Sequence, residues 1–194
     1  KNRGWPRSAI DHLVLAGLEK KGLKPAPDAD KTTLARRVFF DLVGLPPSPE
    51  QLGDFLENDA PDAFEQVVDR LLASPQFGVR WGRHWLDVAR YAESNGMERN
   101  VAFPHAWRFR DYVVESFNED KPFDQFVREQ VAGDLLPKEP TDERLVATGF
   151  LAIGPKSLNN RNAAEFKMDL VDEQIDVTTR AFMGLTVACA RCHD

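Results

Sequence analysis

Helical periodicity is the feature that most constrains the fold of this sequence. Apolar residues recur three and four positions apart along almost the whole chain, in segments that begin and end at prolines, glycines and helix-capping residues. Ser48-Pro49-Glu50-Gln51, for example, combines a serine N-cap, a proline in the first helical position and a glutamine three residues after the cap. About nine such segments and no convincing strand predict an all-α, irregular multi-helix domain.

Local signals predict where several of these helices start and stop. The pair Ser74-Pro75 begins a helix that is predicted to end at Gly96, and Thr141 begins one that is predicted to reach Ile153. A long helix follows the loop that ends at Asn162, and it runs almost directly into a cysteine motif. A further helix is predicted after Asp30, which is a candidate N-cap.

Length and charge limit the class of protein and its partners. With 194 residues the chain is long enough for one well-buried domain, and its net charge of −6 argues against nucleic acid as the main partner, because phosphate binding needs a basic face. No apolar run approaches the length of a membrane-spanning helix. We expect residues 1–194 to form a single helical domain cut from a larger multidomain protein, because the chain starts without a methionine and stops one residue after the cysteine motif.

The pentapeptide Cys189-Ala190-Arg191-Cys192-His193 carries the strongest chemical signal in the sequence. Two thiols separated by two residues can add to the two vinyl groups of haem, and the adjacent histidine can then bind the iron from the proximal side. On this interpretation Cys189 and Cys192 hold haem c covalently, and His193 is the proximal iron ligand.

Three other uses of a Cys-x-x-Cys pair stay open: a redox dithiol, half of a zinc site and a local disulfide. A zinc site needs two more ligands, and His12, His84 and His105 show no ligand spacing. A thioredoxin-like dithiol needs a strand before the pair, whereas a helix is predicted before this one. The sequence therefore favours haem attachment over these alternatives.

The sixth ligand of the iron is not fixed by the sequence. His84 lies beside the Trp81/Trp85 stripe and is a candidate distal ligand, although a hydrogen-bonded histidine at the edge of the core is the more ordinary interpretation. Methionine is a ligand by chemistry but more often fills space in a core. The methionine candidates are Met97, Met168 and Met183.

Acidic residues recur on the long C-terminal helix, where Asp169, Asp172 and Asp176 fall at helical spacing. Grouped carboxylates can form a metal site or an acid–base site, but such a run is more typical of a solvated helix face. We interpret these three residues as a solvated face.

Several blocks of the sequence, taken in order, resemble a known family. The block that ends in Asp41-Leu42-Val43-Gly44-Leu45-Pro46-Pro47 resembles that family's early "DLTGLPP" signature. Four more blocks continue in the family's order and cover nearly the whole chain. They are Arg70 to Pro75 with Arg83 to Tyr91, Trp107 to Tyr112, Lys121 to Phe126 and Gly184 to Asp194.

The family is the planctomycete cytochrome-associated (PSCyt-type) domain of unknown function, found in large exported multidomain proteins. The resemblance implies that the protein is exported, to the periplasm, the cell surface or the medium, and that a cytochrome c domain is a neighbour. It implies a haem cofactor but no particular reaction, because the activity of the family is unsettled.

Three functions are compatible with these features. The leading one is a haem c electron-transfer domain, whose partner is a redox protein or a neighbouring cytochrome domain. A haem enzyme is an alternative, favoured by an open sixth position on the iron. The other alternative is a helical interaction or scaffold module, in which the cysteine pair forms a disulfide or binds a metal without haem.

Overall fold

A computed structural model describes residues 4–97, 99–137 and 139–193. Within these ranges there are nine α-helices and no strand, apart from one isolated bridge between Ser94 and Ala102, so the predicted all-α class is confirmed. Asp194, the last residue of the cysteine block, and Lys1 lie outside the described residues. The helices are α1 (Ala9–Lys20), α2 (Lys31–Leu42), α3 (Pro49–Glu57), α4 (Ala63–Leu72), α5 (Pro75–Val88), α6 (Trp107–Asn118), α7 (Phe123–Ala132), α8 (Asp142–Ala147) and α9 (Ala163–Met183).

The helix starts follow the capping signals of the sequence. Ser48 accepts a hydrogen bond from the Gln51 amide, and the Gln51 side chain accepts one from the Ser48 amide, which completes a capping box. Asp30 caps α2 through the Thr33 amide at 2.7 Å. These side chains satisfy amide groups that have no partner inside the helix, which is why local sequence locates these ends.

Two helix ends differ from the prediction. Helix α5 ends at Val88, not at Gly96, because Arg90 takes the left-handed conformation that usually belongs to a glycine (φ 57°) and the Tyr91 amide bonds back to the Leu86 carbonyl at 2.8 Å. The helix capped by Thr141 ends at Ala147 and continues as the 3-10 helix Thr148–Leu151 instead of reaching Ile153 as one α-helix.

Two hydrophobic clusters form the core. One lies among α2, α3 and α4 and includes Phe39, Phe55 and Leu71. The other is built by α5, α6, α7, α8 and α9, and its buried members include Phe109, Val113, Phe126, Phe150 and Val177. Both clusters bury the apolar stripes that the helical period predicts, and the second one anchors α9, which leads to the cysteine motif.

Close packing of α5 on α6 depends on small residues. A Cβ atom at Gly78 would overlap the Val114 carbonyl oxygen and the Asn118 side chain, and the Gly78 amide donates to Asn118 Oδ1 at 2.8 Å. Two turns further along α5, the Trp85 ring packs edge-on against Phe126 with centroids 5.0 Å apart, and it contacts Phe182 of α9 at 5.7 Å. This aromatic contact ties α9 to the core.

Candidate functional site: the cysteine turn and the adjoining cavity

Helix α9 ends at a glycine C-cap that turns the chain back along the helix. Gly184 is left-handed (φ 66°), its amide bonds to the Arg180 carbonyl, and the Leu185 amide bonds to the Thr179 carbonyl at 3.1 Å. This glycine-based C-cap satisfies the last carbonyls of the helix while turning the backbone. As a result, the residues after Gly184 lie back along α9.

The predicted cofactor-binding residues lie together in one short turn. The 3-10 helix Ala188–Arg191, with Cys192 and His193 after it, is called the cysteine turn here. The amides of Cys192 and His193 both bond to the Cys189 carbonyl, at 3.1 and 3.2 Å. Because side chains three residues apart eclipse in a 3-10 helix, Cys189 and Cys192 leave the turn on the same side. Both thiols are free and exposed, and they are not joined in a disulfide.

Arg191 attaches the cysteine turn to α9. Its Nη2 lies 2.8 Å from Asp169 Oδ1, and its Nε lies 2.8 Å from Asp172 Oδ2. The hydrogen bond to Asp169 and the charge of Asp172 raise the pKa of the Arg191 guanidinium above its ordinary value. Part of the predicted solvated acidic face is therefore occupied, because Asp169 and Asp172 bind a side chain from the turn. Nothing local in the sequence connects these residues with Arg191, which lies 22 positions away from Asp169.

A cavity of about 340 Å³ lies between α9, the end of α5 and the cysteine turn. Charged side chains provide most of its lining. These residues are Arg90, Asp169, Asp172, Glu173, Ile175, Asp176, Val187, Ala188 and Arg191.

Arg90 and Glu173 form an ion pair on one side of this cavity. Arg90 Nη2 lies 2.6 Å from Glu173 Oε1, yet the two groups are poorly aligned, and both atoms lack a hydrogen bond of good geometry. Burial raises the pKa of the Glu173 carboxyl, and the nearby Arg90 charge only partly opposes that effect. Gly154 allows this placement, because a Cβ atom there would overlap the Glu173 carboxylate.

Lys156 lies close to the same carboxylate but donates elsewhere. Its Nζ donates to the Gly154 carbonyl at 2.9 Å and to the Ala152 carbonyl, and burial lowers the pKa of its ammonium group. The fully buried Asn95 holds this loop in place, donating to the Lys156 carbonyl at 2.8 Å and accepting from the Val101 amide at 2.7 Å. The loop before α9 is thus tied to the loop after α5.

A second polar network lies in the core between α6 and α7. Glu129 accepts from Tyr112 Oη at 2.9 Å, from Lys121 Nζ at 2.8 Å and from Gln125 Nε2 at 2.8 Å. Burial acts to raise the pKa of Glu129, but the three hydrogen bonds outweigh it and hold that pKa below the ordinary value. This network was not among the predicted sites, and the sequence signals it only through a charged residue at an otherwise apolar position of α7.

The candidate distal ligands are all exposed. His84 is exposed, and its ring packs edge-on against Trp81 with centroids 5.4 Å apart. Trp81 in turn donates to the Asp41 carbonyl of α2 at 3.1 Å. The three methionine candidates are all exposed, with Met168 54% and Met183 63% accessible. His84 as a sixth ligand stays a prediction.

The part of the chain that the structure describes contains no group of three or more His, Cys, Asp or Glu side chains arranged to hold a metal ion. None of the helices in these ranges has the length and apolar character needed to cross a bilayer.

Fold and site together define a class: a helical domain in which the last long helix presents two free thiols and a histidine on one exposed turn. The chain belongs to the PSCyt2 family, described as a protein of unknown function (DUF1549), whose model matches residues 9–194. No curated protein and no solved structure matches the chain.

Proposed function

We propose that this chain is a haem c-binding domain of an exported protein and that it passes single electrons to or from a redox partner or a neighbouring cytochrome domain. The observation that carries the proposal is the arrangement of the cysteine turn, in which two free, exposed thiols leave on one side and His193 follows immediately. Haem attachment takes place outside the cytoplasm, so the proposal includes export to the periplasm, the cell surface or the medium.

The donor groups of the turn fit haem c. Cys189 and Cys192 would form thioether bonds to the haem vinyl groups, and His193 would bind the iron. When bound, the haem supplies a one-electron couple whose potential depends on the axial ligands and on exposure to solvent. The protein's own contribution is to hold both thiols in one accessible turn and to place an imidazole beside them.

The surroundings of the turn favour attachment at the surface. All residues from 188 to 193 are exposed, and six of the nine residues that line the adjoining cavity carry a charge. A haem held there would keep an exposed edge, which suits direct electron exchange with a partner protein. It would also leave the sixth coordination position to a group that the cysteine turn does not itself supply.

The test is to produce the chain in a bacterial periplasm with a haem-maturation system. We expect a sharp α-band after reduction with dithionite, haem that stays bound after denaturation, and a mass increase of one haem per chain. The double variant Cys189→Ser/Cys192→Ser is the matched control, because both side chains are exposed and their replacement leaves the core intact.

A colourless, folded wild-type protein would reject haem attachment. It would leave the scaffold module, with its cysteine pair as a disulfide or metal ligand, as the better description. If haem is bound, His84→Ala tests the distal ligand, with His105→Ala as its control. A change from a low-spin to a high-spin spectrum in His84→Ala alone would assign the sixth position to His84.

A further inference from the structure

The residues of the 3-10 helix in the cysteine turn contribute nothing to the hydrophobic core. None of the residues in Ala188–Arg191 is buried, and the amides of Ala190, Cys192 and His193 bond to the carbonyls of Val187 and Cys189 close by in the chain. The element it packs against is α9. Without a hydrophobic anchor, the direction in which its side chains point depends on polar contacts with that helix.

Arg191 supplies those contacts with two different nitrogens. Its Nη2 reaches Asp169 and its Nε reaches Asp172, each at 2.8 Å, and the two carboxylates lie on the same face of α9 because they are three residues apart. A planar guanidinium that is bound through two nitrogens rotates less freely than one that is bound through a single nitrogen. The pair of contacts therefore fixes the rotation of the turn about its own axis.

That rotation decides where the sulfurs point. Arg191 lies between Cys189 and Cys192 in sequence, and in a helix of about three residues per turn its side chain leaves at roughly 120° to theirs. When Arg191 is bound to α9, both thiols are held off the helix surface on one side. When the contacts of Arg191 with α9 are broken, the turn can rotate, and the two thiols no longer point in one fixed direction.

We propose that Arg191 is a positioning residue for haem attachment, which holds both thiols toward an incoming haem by binding Asp169 and Asp172. This inference rests on the proposed function and adds to it a residue that the Cys-x-x-Cys-His pattern leaves unspecified. Arg191 touches neither the vinyl groups nor the iron in this proposal, and it acts only through the turn.

The first measurement uses the full chain in its reduced, haem-free form. Hydrogen exchange of the amides at 187–193 is compared among wild type, Arg191→Ala and Arg191→Lys. Because the ion pairs of Arg191 with Asp169 and Asp172 are solvent-exposed, we expect the exchange rate to rise only modestly, by about three- to tenfold, in Arg191→Ala. An intermediate rate is expected in Arg191→Lys. Arg180→Ala is the matched control, since Arg180 binds Asp176 on the same helix at 3.1 Å without contacting the turn.

Charge reversal separates positioning from general loss of stability. Arg191→Glu alone is expected to accelerate exchange, and the triple variant Arg191→Glu/Asp169→Arg/Asp172→Arg is expected to return it toward the wild-type rate. High salt should accelerate exchange in wild type but not in Arg191→Ala, because it screens a contact that the variant already lacks.

The second measurement is haem loading during periplasmic production. In Arg191→Ala we expect a larger fraction of chains joined to haem by one thioether, detected by the shifted reduced α-band in alkaline pyridine, and in Arg180→Ala the wild-type fraction. Equal exchange rates and equal thioether ratios in Arg191→Ala and wild type would overturn the proposal. If wild type binds no haem, the proposed function fails, and the exchange rates alone then decide whether Arg191 orients the thiols.

Discussion

Two glutamates of this molecule, one buried and one half-buried, belong to ion pairs, yet their pKa values move in opposite directions. Glu129, with a side chain 3% exposed, is held in the ionised form, whereas the pKa of Glu173, with a side chain 13% exposed, is raised. Burial acts to raise both. The difference lies in the number of donors, because Glu129 accepts three side-chain hydrogen bonds, whereas Glu173 faces the Arg90 guanidinium and has the like charge of Asp176 nearby.

In this comparison, the carboxylate that accepts more hydrogen bonds is the one whose ionised form is stabilised. Glu129 belongs to the core and connects α6 to α7. Glu173 lines the cavity beside the cysteine turn, where its charge is poorly compensated. The first network lies in the core, and the second lies beside the cysteine turn.

The largest effect is expected from removing the carboxylates. Glu129→Ala leaves Lys121, itself only 7% exposed, with Glu143 as its remaining partner and takes the acceptor away from the buried Tyr112 hydroxyl, and we expect it to lower the free energy of unfolding by about 2 to 3 kcal/mol. Glu173→Ala is expected to cost at most about 1 kcal/mol, because its charged form is already disfavoured by burial. Urea denaturation at neutral pH measures both.

The double variant Lys121→Met/Glu129→Leu is the control for this prediction. It removes both charges and should cost less than Glu129→Ala, because the buried ammonium group of Lys121 is removed together with the carboxylate that it binds. Equal costs for Glu129→Ala and Glu173→Ala would contradict the distinction between the two carboxylates.

A second, smaller effect is expected from removing one donor. Tyr112→Phe deletes the hydroxyl that donates to Glu129, and we expect it to lower the free energy of unfolding by about 1 to 2 kcal/mol. Tyr91 is the chain's other tyrosine, and its hydroxyl donates to the exposed Glu93 at 3.1 Å. Tyr91→Phe should therefore change stability by less than about 0.5 kcal/mol, and a similar loss in both variants would argue against the Glu129 network.

A third effect concerns the backbone at Arg90. Arg90→Gly removes both the ion pair with Glu173 and the strain of a left-handed non-glycine residue, whereas Arg90→Ala removes only the ion pair. We expect Arg90→Gly to be more stable than Arg90→Ala by about 1 kcal/mol. If the two variants unfold at the same denaturant concentration, the conformation at Arg90 is not strained, and the side chain alone accounts for its placement.

The smallest expected effect is the pH dependence of the free energy of unfolding that comes from the two glutamates. Its sign is opposite for Glu129 and Glu173. The pKa of Glu129 is lowered on folding, so its contribution is complete above its ordinary value of 4.5 and is lost as the pH falls below it. The pKa of Glu173 is raised, so its protonated form favours folding at low pH, and this contribution is lost as the pH rises from 4.5 through the raised value.

Unfolding of wild type, Glu129→Gln and Glu173→Gln across this pH range tests these signs. Glu129→Gln should flatten the loss of stability on the acid side. Glu173→Gln should remove the decline on the alkaline side of 4.5. If the two carboxyl groups changed the free energy of unfolding with pH in the same direction, the opposite pKa shifts of Glu129 and Glu173 would be contradicted.

Much of the fold could be predicted because helix starts are local. Asp30 and Ser48 cap their helices through amides three residues away, so the signal lies within one turn of sequence. The end of α5 could not be predicted in this way. Gly96 is left-handed, as a closing glycine would be, but Arg90 takes that conformation six residues earlier, where its side chain enters the cavity beside Glu173.

The candidate site likewise has a part that the sequence predicts and a part that it does not. The cysteine motif is local, and the residues Cys189, Cys192 and His193 could be named from five consecutive letters. The contacts of Arg191 could not, because Asp169 and Asp172 resemble any solvated acidic stripe until the chain folds back on α9. The contact of His84 with Trp81 is local as well, because the two residues lie three positions apart on α5, whereas the hydrogen bond from Trp81 to Asp41 depends on how α5 faces α2.

The sequence by itself determined the helical class, most helix starts, and the pairing of two thiols with a histidine in one turn. These properties depend on hydrogen bonds and side-chain periodicities that span a few residues. Tertiary structure alone decided which charges are satisfied, since Glu129 and Glu173 differ in donors contributed by other helices and loops. It also decided which way the thiols face, because that direction depends on carboxylates about twenty positions earlier in the chain, brought close by the reversal at Gly184.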